Sequence, residues 1–410
     1  MSEKILIIAV KMQEQNEERF KSSLDELISL SNTAGGSVEQ VMVQNRHKIH
    51  PAYYIGEGKM KEIKEEVEEL DINLVISNDE LSAGQLRNLS DRIGVRVIDR
   101  SQLILDIFAQ RAHTKEGKLQ VELAQLQYML PRLRGQGEEM SRLGAGIGTR
   151  GPGETKLETD QRHIRRRIYD IKRRLKLVVQ QRNQYRKRRK TNEVFQIAIV
   201  GYTNAGKSTL FNRLTNSSSL EENQLFATLD PLTRQIQLPS GFQTLVTDTV
   251  GFIQDLPTSL VESFKSTLEE VSEADFILHI VDAANPDSEQ HQQTVMRLLY
   301  DLDADTIPML TVYNKIDLVN DDFIAMNHPN IHISALEPED MERLLFKIEA
   351  VLSDDWEWYK LNIAPDEGKL LNQLEQETIV NERFFSEEEN HYVVKGHMRH
   401  NHPLKRLLRE

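Results

Sequence analysis

The stretch FQIAIVGYTNAGKSTLFNRL, Phe195 to Leu214, constrains the chain more tightly than any other. An apolar run leads into G-x-x-x-x-G-K-S at Gly201–Ser208, and a helical pattern follows. This order reads as strand, tight loop, helix. A buried strand feeding a helix in this way belongs to an α/β layer with a mainly parallel sheet. The chemistry is equally narrow. A glycine-rich loop at a helix N-terminus turns its backbone N–H groups toward an anion. Gly201 and Gly206 let the loop wrap a β-phosphate, with Tyr202, Thr203, Asn204 and Ala205 as its wall. Lys207 reaches the β- and γ-phosphates, Ser208 offers a hydroxyl to Mg²⁺, and Thr209 continues the first helical turn.

Two later segments, in the right order, specify which nucleotide. TLVTDTVGF places Asp248, Thr249, Val250 and Gly251 at the end of a strand. An aspartate there holds Mg²⁺ through water, and the Gly251 N–H senses the γ-phosphate. TVYNKIDL places Asn314, Lys315, Ile316 and Asp317 after another strand. The Asp317 carboxylate can accept both N1–H and the exocyclic amine of guanine. Adenine presents neither donor there and would leave the carboxylate unpaired. IHISAL then ends in Ser334, Ala335 and Leu336, whose backbone can support the guanine O6.

Together these elements resemble the translation-factor class of P-loop GTPases. In that class a threonine between the first two motifs closes over the nucleotide and gives Mg²⁺ a second hydroxyl. FATLDPLTR, Phe226 to Arg234, supplies the candidates. Thr228 is the first, flanked by Phe226, Ala227, Leu229 and Asp230; Thr233 is the alternative, with a solvent-facing strand entry as its other reading. The catalytic set is therefore Lys207, Thr228 and Gly251, and the metal set is Ser208 and Thr228, with Asp248 through water. After Gly251 the chain departs from signalling GTPases, in which a Gln orients the attacking water. Phe252 stands here and cannot do so. Slow intrinsic hydrolysis follows, with a partner or a rearrangement completing the site. No arginine finger is identifiable.

The rest of the chain is organised around this core. Its 410 residues suit two or three domains. There is no cysteine, which excludes disulfides, thiolate metal sites and cysteine nucleophiles. The apolar run Ile5–Val10 is too short for a signal-peptide core and reads as a buried strand. No apolar run approaches the ~20 residues of a membrane span, so a cytoplasmic protein is expected. Residues 1–110 alternate strand and helix patterns, KILIIAV, SVEQVMVQ, INLVISND and VRVIDR being the strands. Leu119, Leu123, Leu126, Leu130 and Leu133 then form one heptad seam, and Ile164, Ile168, Ile171, Leu175 and Val178 a second. Over 111–191 they predict an antiparallel helical hairpin with a glycine-rich tip at 144–153. Pro131 should kink the first arm or mark its end. The P-loop domain occupies 192–353. A small α+β region fills 354–410, with a helix over Glu367–Asn381, a strand including HYVVKG, and a polar, His-rich exposed tail.

The formal net charge is −13, yet from Gln161 to Lys190 Asp170 is the only acid in a run crowded with Arg and Lys. A cationic helix in an acidic protein points one surface at a polyanion. A merely solvated helix and a contact-free glycine connector remain the alternatives. The glycine stretch lacks G-K-[ST] and no apolar strand feeds it. It is therefore not the nucleotide site. Glycines on a rigid cationic hairpin, flanked by Arg132, Arg134, Arg142, Arg150 and Lys156, suit close approach to structured RNA.

GYTNAGKSTLFN, FATLDP and DTVGFI, with YYIGEGKM at Tyr53–Met60 and GIGTRGPGETKLETD at Gly146–Asp160, resemble the HflX family. The likeness covers nearly the whole chain up to about residue 353; the C-terminal region matches only some members. The resemblance implies a GTPase that binds the large ribosomal (50S) subunit through its N-terminal domain. It implies a hairpin tip that probes near the peptidyl-transferase centre, and separation of stalled ribosomes into subunits under stress, or a role in subunit biogenesis. A monomer is expected. Two other readings stay open: a regulatory GTP switch that recruits a protein partner, and an NTP-driven RNA remodeller that also uses ATP.

Overall fold

The computed structural model describes residues 3–133, 156–191, 194–215, 225–226, 228–254, 270–319, 323–325 and 327–408. The glycine-rich tip and Ala227 lie outside them. Two compact units divide the chain: Met1–Asn183 with Gln224–Asp230 and Gln254–Ser266, and Gln184–Asn223 with Pro231–Ile253 and Thr267–Glu410.

The first unit is built on a parallel sheet in the order β2-β1-β3-β4, from β1 (Lys4–Met12), β2 (Ser37–Arg46), β3 (Leu74–Ser77) and β4 (Arg96–Asp99). The apolar run of β1 is central and fully buried from Ile5 to Val10, as a strand covered on both faces must be. Helices α1 (Glu17–Thr33), α2 (Glu57–Glu69), α3 (Ala83–Ile93) and α4 (Arg100–Arg111) connect and cover it. Their ends are set locally. Asn16 caps α1, and Ser82 and Gln85 form a reciprocal capping box on α3, which Gly94 ends at φ +88°.

The hairpin arms are α5 (Lys115–Leu133) and α6 (Lys156–Thr191). Leu119, Leu123 and Leu126 pack on Ile168, Ile171 and Leu175, the middle of both heptad seams. Ion pairs Glu122–Arg167 and Glu116–Arg182 fix the antiparallel sense. Pro131 sits in the last described turn of α5. The opposite face of α5 is tied to the sheet. Buried Asp99, at the end of β4, accepts from Tyr128 Oη at 2.8 Å, from Arg132 at 3.2 Å and from the Leu81 and Gln102 N–H groups. Hairpin and sheet thus share one unit. So does the 225–230 segment. Asp230 accepts from the His113 and Thr114 N–H groups and the Thr114 hydroxyl, just before α5, and Phe226 stacks edge-on against Phe108.

The second unit begins with β5 (Phe195–Gly201) and α7 (Lys207–Thr215). Next come β6 (Leu232–Gln237), β7 (Gln243–Asp248), β8 (Phe276–Asp282), α8 (Ser288–Asp301), β9 (Met309–Asn314), β10 (Asn330–His332) and α9 (Pro338–Asp355). The sheet order is β10-β9-β8-β5-β7-β6, parallel except for the antiparallel edge strand β6. Thr233 lies in that edge strand, half-buried, with its hydroxyl 2.9 Å from that of Thr247. The core joins Ile197 and Ile199 of β5, Leu278 and Ile280 of β8, Leu210 and Phe211 of α7 and Leu344, Ile348 and Leu352 of α9.

A three-stranded antiparallel sheet, order β11-β13-β12, completes the unit: β11 (Glu357–Ile363), β12 (Ile379–Ser386) and β13 (His391–Met398), with α10 (Gly368–Glu377) between the first two. The sequence pattern extends this helix to Asn381. It stops earlier because Thr378 turns extended and Ile379 enters the ladder with β13, where the backbone finds its partners. The expected exposed tail is partly folded as well. His402 and Leu404 are buried, since a 3₁₀ turn over Pro403–Leu408 returns apolar side chains to the small sheet. Among the described residues no helix is long and apolar enough to cross a membrane.

Candidate nucleotide site

Parallel pairing of β5 with β7 and β8 brings Gly201, Asp248 and Asp282 to the same carboxyl edge of the sheet, where open α/β sheets bind ligands. The loop leaving β5 needs its glycines. Gly201 has φ +154°, and a Cβ there would lie 2.3 Å from the Ile280 carbonyl oxygen. Gly206 has φ +93°, and a Cβ would lie 2.2 Å from Asn314 Nδ2. Any larger residue would push out the β8 backbone or the Asn314 amide.

That amide is a hub. Asn314 Nδ2 donates to the Ala205 carbonyl at 2.9 Å, while its Oδ1 accepts from the Ala335 N–H at 2.9 Å. One buried side chain thus fixes the phosphate loop to the loop at Ser334–Leu336. Sequence spacing places Asn314 in the nucleotide-binding motif but gives no sign of this bracing role, because its partners lie 109 and 21 residues away. The Ser334 N–H is also taken, by Asp340 at 2.7 Å. Leu336 is exposed. Lys315 adopts a left-handed conformation, φ 62°, and pairs with Asp282 at 2.7 Å. This turn leaves Asp317 exposed in a short 3₁₀ segment with Ile316, and its carboxylate has no partner among the described residues.

At the phosphate end, Ser208 Oγ donates to Asp248 Oδ2 at 3.0 Å. A hydroxyl and a carboxylate side by side at the helix start form an oxygen donor set suited to a hard cation. Thr249 is buried and donates to the Ile199 carbonyl at 2.7 Å, so its side chain anchors the strand end. Val250 is buried beside it. The Gly206 and Gly251 N–H groups donate to no acceptor among the described residues, and both belong to loops that the phosphate chemistry requires. Tyr202 and Phe252 form a parallel bridge, with Thr203 N–H donating to the Phe252 carbonyl at 2.8 Å and Phe252 N–H to Gly201 at 3.2 Å. The Phe252 ring is 1% exposed and joins an apolar cluster with Val200 and Val295. It is a core residue, which removes it from the water-orienting role.

Lys207 is buried and donates from Nζ to the Tyr202 carbonyl at 2.7 Å. Burial lowers its pKa to about 8, and the Asp248 charge offsets this only in part. Two features here carried no sequence signal. Tyr202 stacks flat on His291, centroids 3.6 Å apart, which steadies the carbonyl that Lys207 meets. His279 is buried on β8, and burial and the Lys207 charge lower its pKa to about 4, so it stays neutral and Lys207 carries the local positive charge. The direction of the Lys207 shift sets an expected result. In the free protein the ammonium loses its proton as pH rises through about 8. A bound polyphosphate favours the ammonium, so binding near pH 8.5 takes up more than about half a proton, and binding at pH 6.5 almost none. Calorimetric titration with GDP in two buffers of different ionisation enthalpy reads this directly. Equal heats in both buffers at pH 8.5 would contradict it.

Asp230, Phe226, Leu229 and Thr228 lie in the 225–230 segment of the first unit, with Phe226 and Leu229 buried and Thr228 partly so.

Family models match the chain in three consecutive parts: a GTP-binding GTPase N-terminal region over residues 21–109, a GTP-binding GTPase middle region over 111–189, and a 50S ribosome-binding GTPase domain over 196–315. The chain is 53% identical over 409 residues to GTPase HflX of Alkalihalophilus pseudofirmus, covering 100% of this chain and 96% of that protein. It is 42% identical over 378 residues to GTPase HflX of Escherichia coli K12, covering 91% and 89%. Among solved structures, a GTP-binding protein from the archaeon Sulfolobus solfataricus in complex with GDP matches at 24% identity over 86% of this chain and 99% of its own, TM-score 0.46. A phosphate loop braced by Asn314, an exposed Asp317 at the end of the same motif, and identity over nearly full-length relatives lead to one conclusion: the chain belongs to the HflX family of P-loop GTPases and hydrolyses GTP.

Proposed function

We propose that this GTPase acts on the large ribosomal subunit, splitting or rescuing ribosomes or aiding subunit biogenesis under stress, as a cytoplasmic monomer. Gly201 to Thr209 wrap the phosphates, and the Gly251 N–H meets the γ-phosphate. Asp317 reads guanine, Asn314 and Lys315 border the base, and the Ala335–Leu336 backbone faces O6. The Ala335 N–H leaves Asn314 or Leu336 supplies its own. Ser208 and Thr228 would hold Mg²⁺, with Asp248 acting through water. The adjacent Ser208 and Asp248 oxygens support this assignment. When bound, Mg²⁺ neutralises charge on the β- and γ-phosphate oxygens. Lys207 supplies a fixed ammonium from a buried position, where the field is least screened.

The observation that carries the ribosomal reading is the free face of α6. Arg166, Lys172, Arg173, Arg174 and Lys176 are exposed and make no ion pair among the described residues. Their neighbours Arg167 and Arg182 are tied to α5. The hairpin therefore keeps its cations in two classes, one that holds the arms together and one that faces outward. RNA phosphates fit the second class, and hydrolysis is slow until the ribosome engages. Ordering of Thr228 and 248–252 by GTP and binding of the subunit favour each other, a reciprocal linkage.

Replacing those outward cations by glutamine tests this. Large subunits should raise GTP turnover of the unsubstituted protein and leave the variant at its basal rate. The salt slope of subunit binding should fall by roughly 3.5–4.5, taking about 0.7–0.9 per phosphate contact. Equal stimulation of both proteins would remove the hairpin from the interface. No stimulation of either would favour a protein-partner switch.

A further inference from the structure

The Thr203 hydroxyl lies inside the phosphate loop, beside the groups that meet the phosphates. Among the described residues Thr203 Oγ1 is the one buried side-chain hydroxyl without a hydrogen-bond partner. The residue is 6% exposed. Burying a hydroxyl without a partner costs stability, so such a group in a phosphate loop calls for a reason. The other hydroxyls here are engaged: Ser208 with Asp248 and Thr249 with Ile199. Position alone makes Thr203 relevant. A Cβ built on Gly251 would lie 2.8 Å from Thr203 Cγ2 and 3.1 Å from Lys207 Nζ. Thr203, Gly251 and the Lys207 ammonium therefore surround one point, and Gly251 and Lys207 are the groups that meet a γ-phosphate. The bridge between Tyr202 and Phe252 holds Thr203 there through its backbone. The Phe252 ring, which stands where a glutamine would orient water, is turned into the core.

We propose that the Thr203 hydroxyl is a catalytic group, orienting the attacking water against the γ-phosphate in the place of the missing glutamine. It accepts a hydrogen bond from the water and donates its own to a γ-phosphate oxygen, keeping its proton throughout. The water oxygen bonds to the γ-phosphorus while the bond from that phosphorus to the bridging oxygen breaks. The bond pair leaves on the β-phosphate, and one water proton passes to a γ-phosphate oxygen. GTP⁴⁻ and H₂O become GDP³⁻ and H₂PO₄⁻. The proposal rests on GTP hydrolysis at this site and not on any ribosomal role, so the isolated full-length protein is the right material.

Thr203→Val keeps the shape and removes the hydroxyl. Thr203→Ser keeps the hydroxyl and removes the methyl. In single-turnover assays the valine variant should lose about 10²-fold in rate. Its GDP affinity should stay within about 3-fold, because the hydroxyl serves the γ-phosphate and the water alone. Its capture of GDP with aluminium fluoride, a mimic of the transferring phosphoryl group, should fall with the rate. The serine variant should recover most of both. The nucleotide-free valine protein should melt higher, by roughly 2–4 °C, because an orphaned hydroxyl is gone. A valine variant with unchanged rate overturns the proposal. So does a parallel loss of GDP affinity, which marks a structural role, and so does a serine variant as slow as valine. An unsubstituted protein without turnover would instead overturn the GTPase reading itself.

Discussion

GTP turnover by Lys207→Ala should fall about 10²–10³-fold relative to the unsubstituted protein. Among the described residues the lysine is the one ammonium buried at the phosphate loop, and its partner there is a carbonyl, that of Tyr202. A neutral donor cannot replace it, since the breaking bond leaves its electron pair on the β-phosphate and a buried cation meets that charge with little screening. The flanking N–H groups remain in the variant, so nucleotide binding weakens less than the chemical step does. Lys207→Met, which fills the space without the charge, should be as slow as alanine. Phosphate release under saturating GTP, with GDP affinity measured in parallel, checks both. A methionine variant within about tenfold of the native rate would show that the side chain acts by packing.

How far the sequence reaches depends on the distance over which each feature is encoded. The phosphate loop is contiguous, and the roles proposed for its glycines, lysine and serine follow from residue type alone. Asp248 and Asp317 follow because a strand end in a parallel sheet delivers them to one edge. The heptad seams likewise predicted which leucines and isoleucines meet between the hairpin arms, as Leu123 and Ile171 do. Long-range polar contacts left no such trace. The Asn314 amide is a structural brace only because Ala205 and Ala335 arrive at it from distant parts of the chain. Asp230 reads as part of a nucleotide-closing segment, yet its carboxylate is engaged by Thr114 at the start of α5. The end of α10 departs from its sequence pattern for a similar reason. Its periodic pattern continues, but the ladder with β13 competes successfully for the backbone from Ile379 onward. Thr203 is the sharpest case. Its type and position were plain, and its missing partner becomes visible only in three dimensions.

The second large effect concerns the base. Asp317→Asn should lower kcat/KM for GTP about 10³-fold and raise that for XTP. The Asp317 carboxylate offers two acceptors and has no partner among the described residues. Guanine presents two donors at matching positions. An asparagine keeps one acceptor and turns the other into an NH₂ donor, which faces the guanine exocyclic amine with like polarity. Xanthine carries an oxygen at that position, so the same NH₂ finds an acceptor. The αL turn at Lys315 and its ion pair with Asp282 lie outside the substitution, so the loop should keep its place. Lys207, Ser208 and Asp248 are equally untouched, and kcat with saturating XTP should therefore approach that of the native protein with GTP. A variant that still prefers GTP would place base recognition elsewhere, first in the backbone of Ser334–Leu336. Excess ATP should not compete in either protein, because adenine offers no N1–H and its amine sits on the far edge. Competition by ATP against native GTP turnover would reopen the reading of an NTP-driven RNA remodeller.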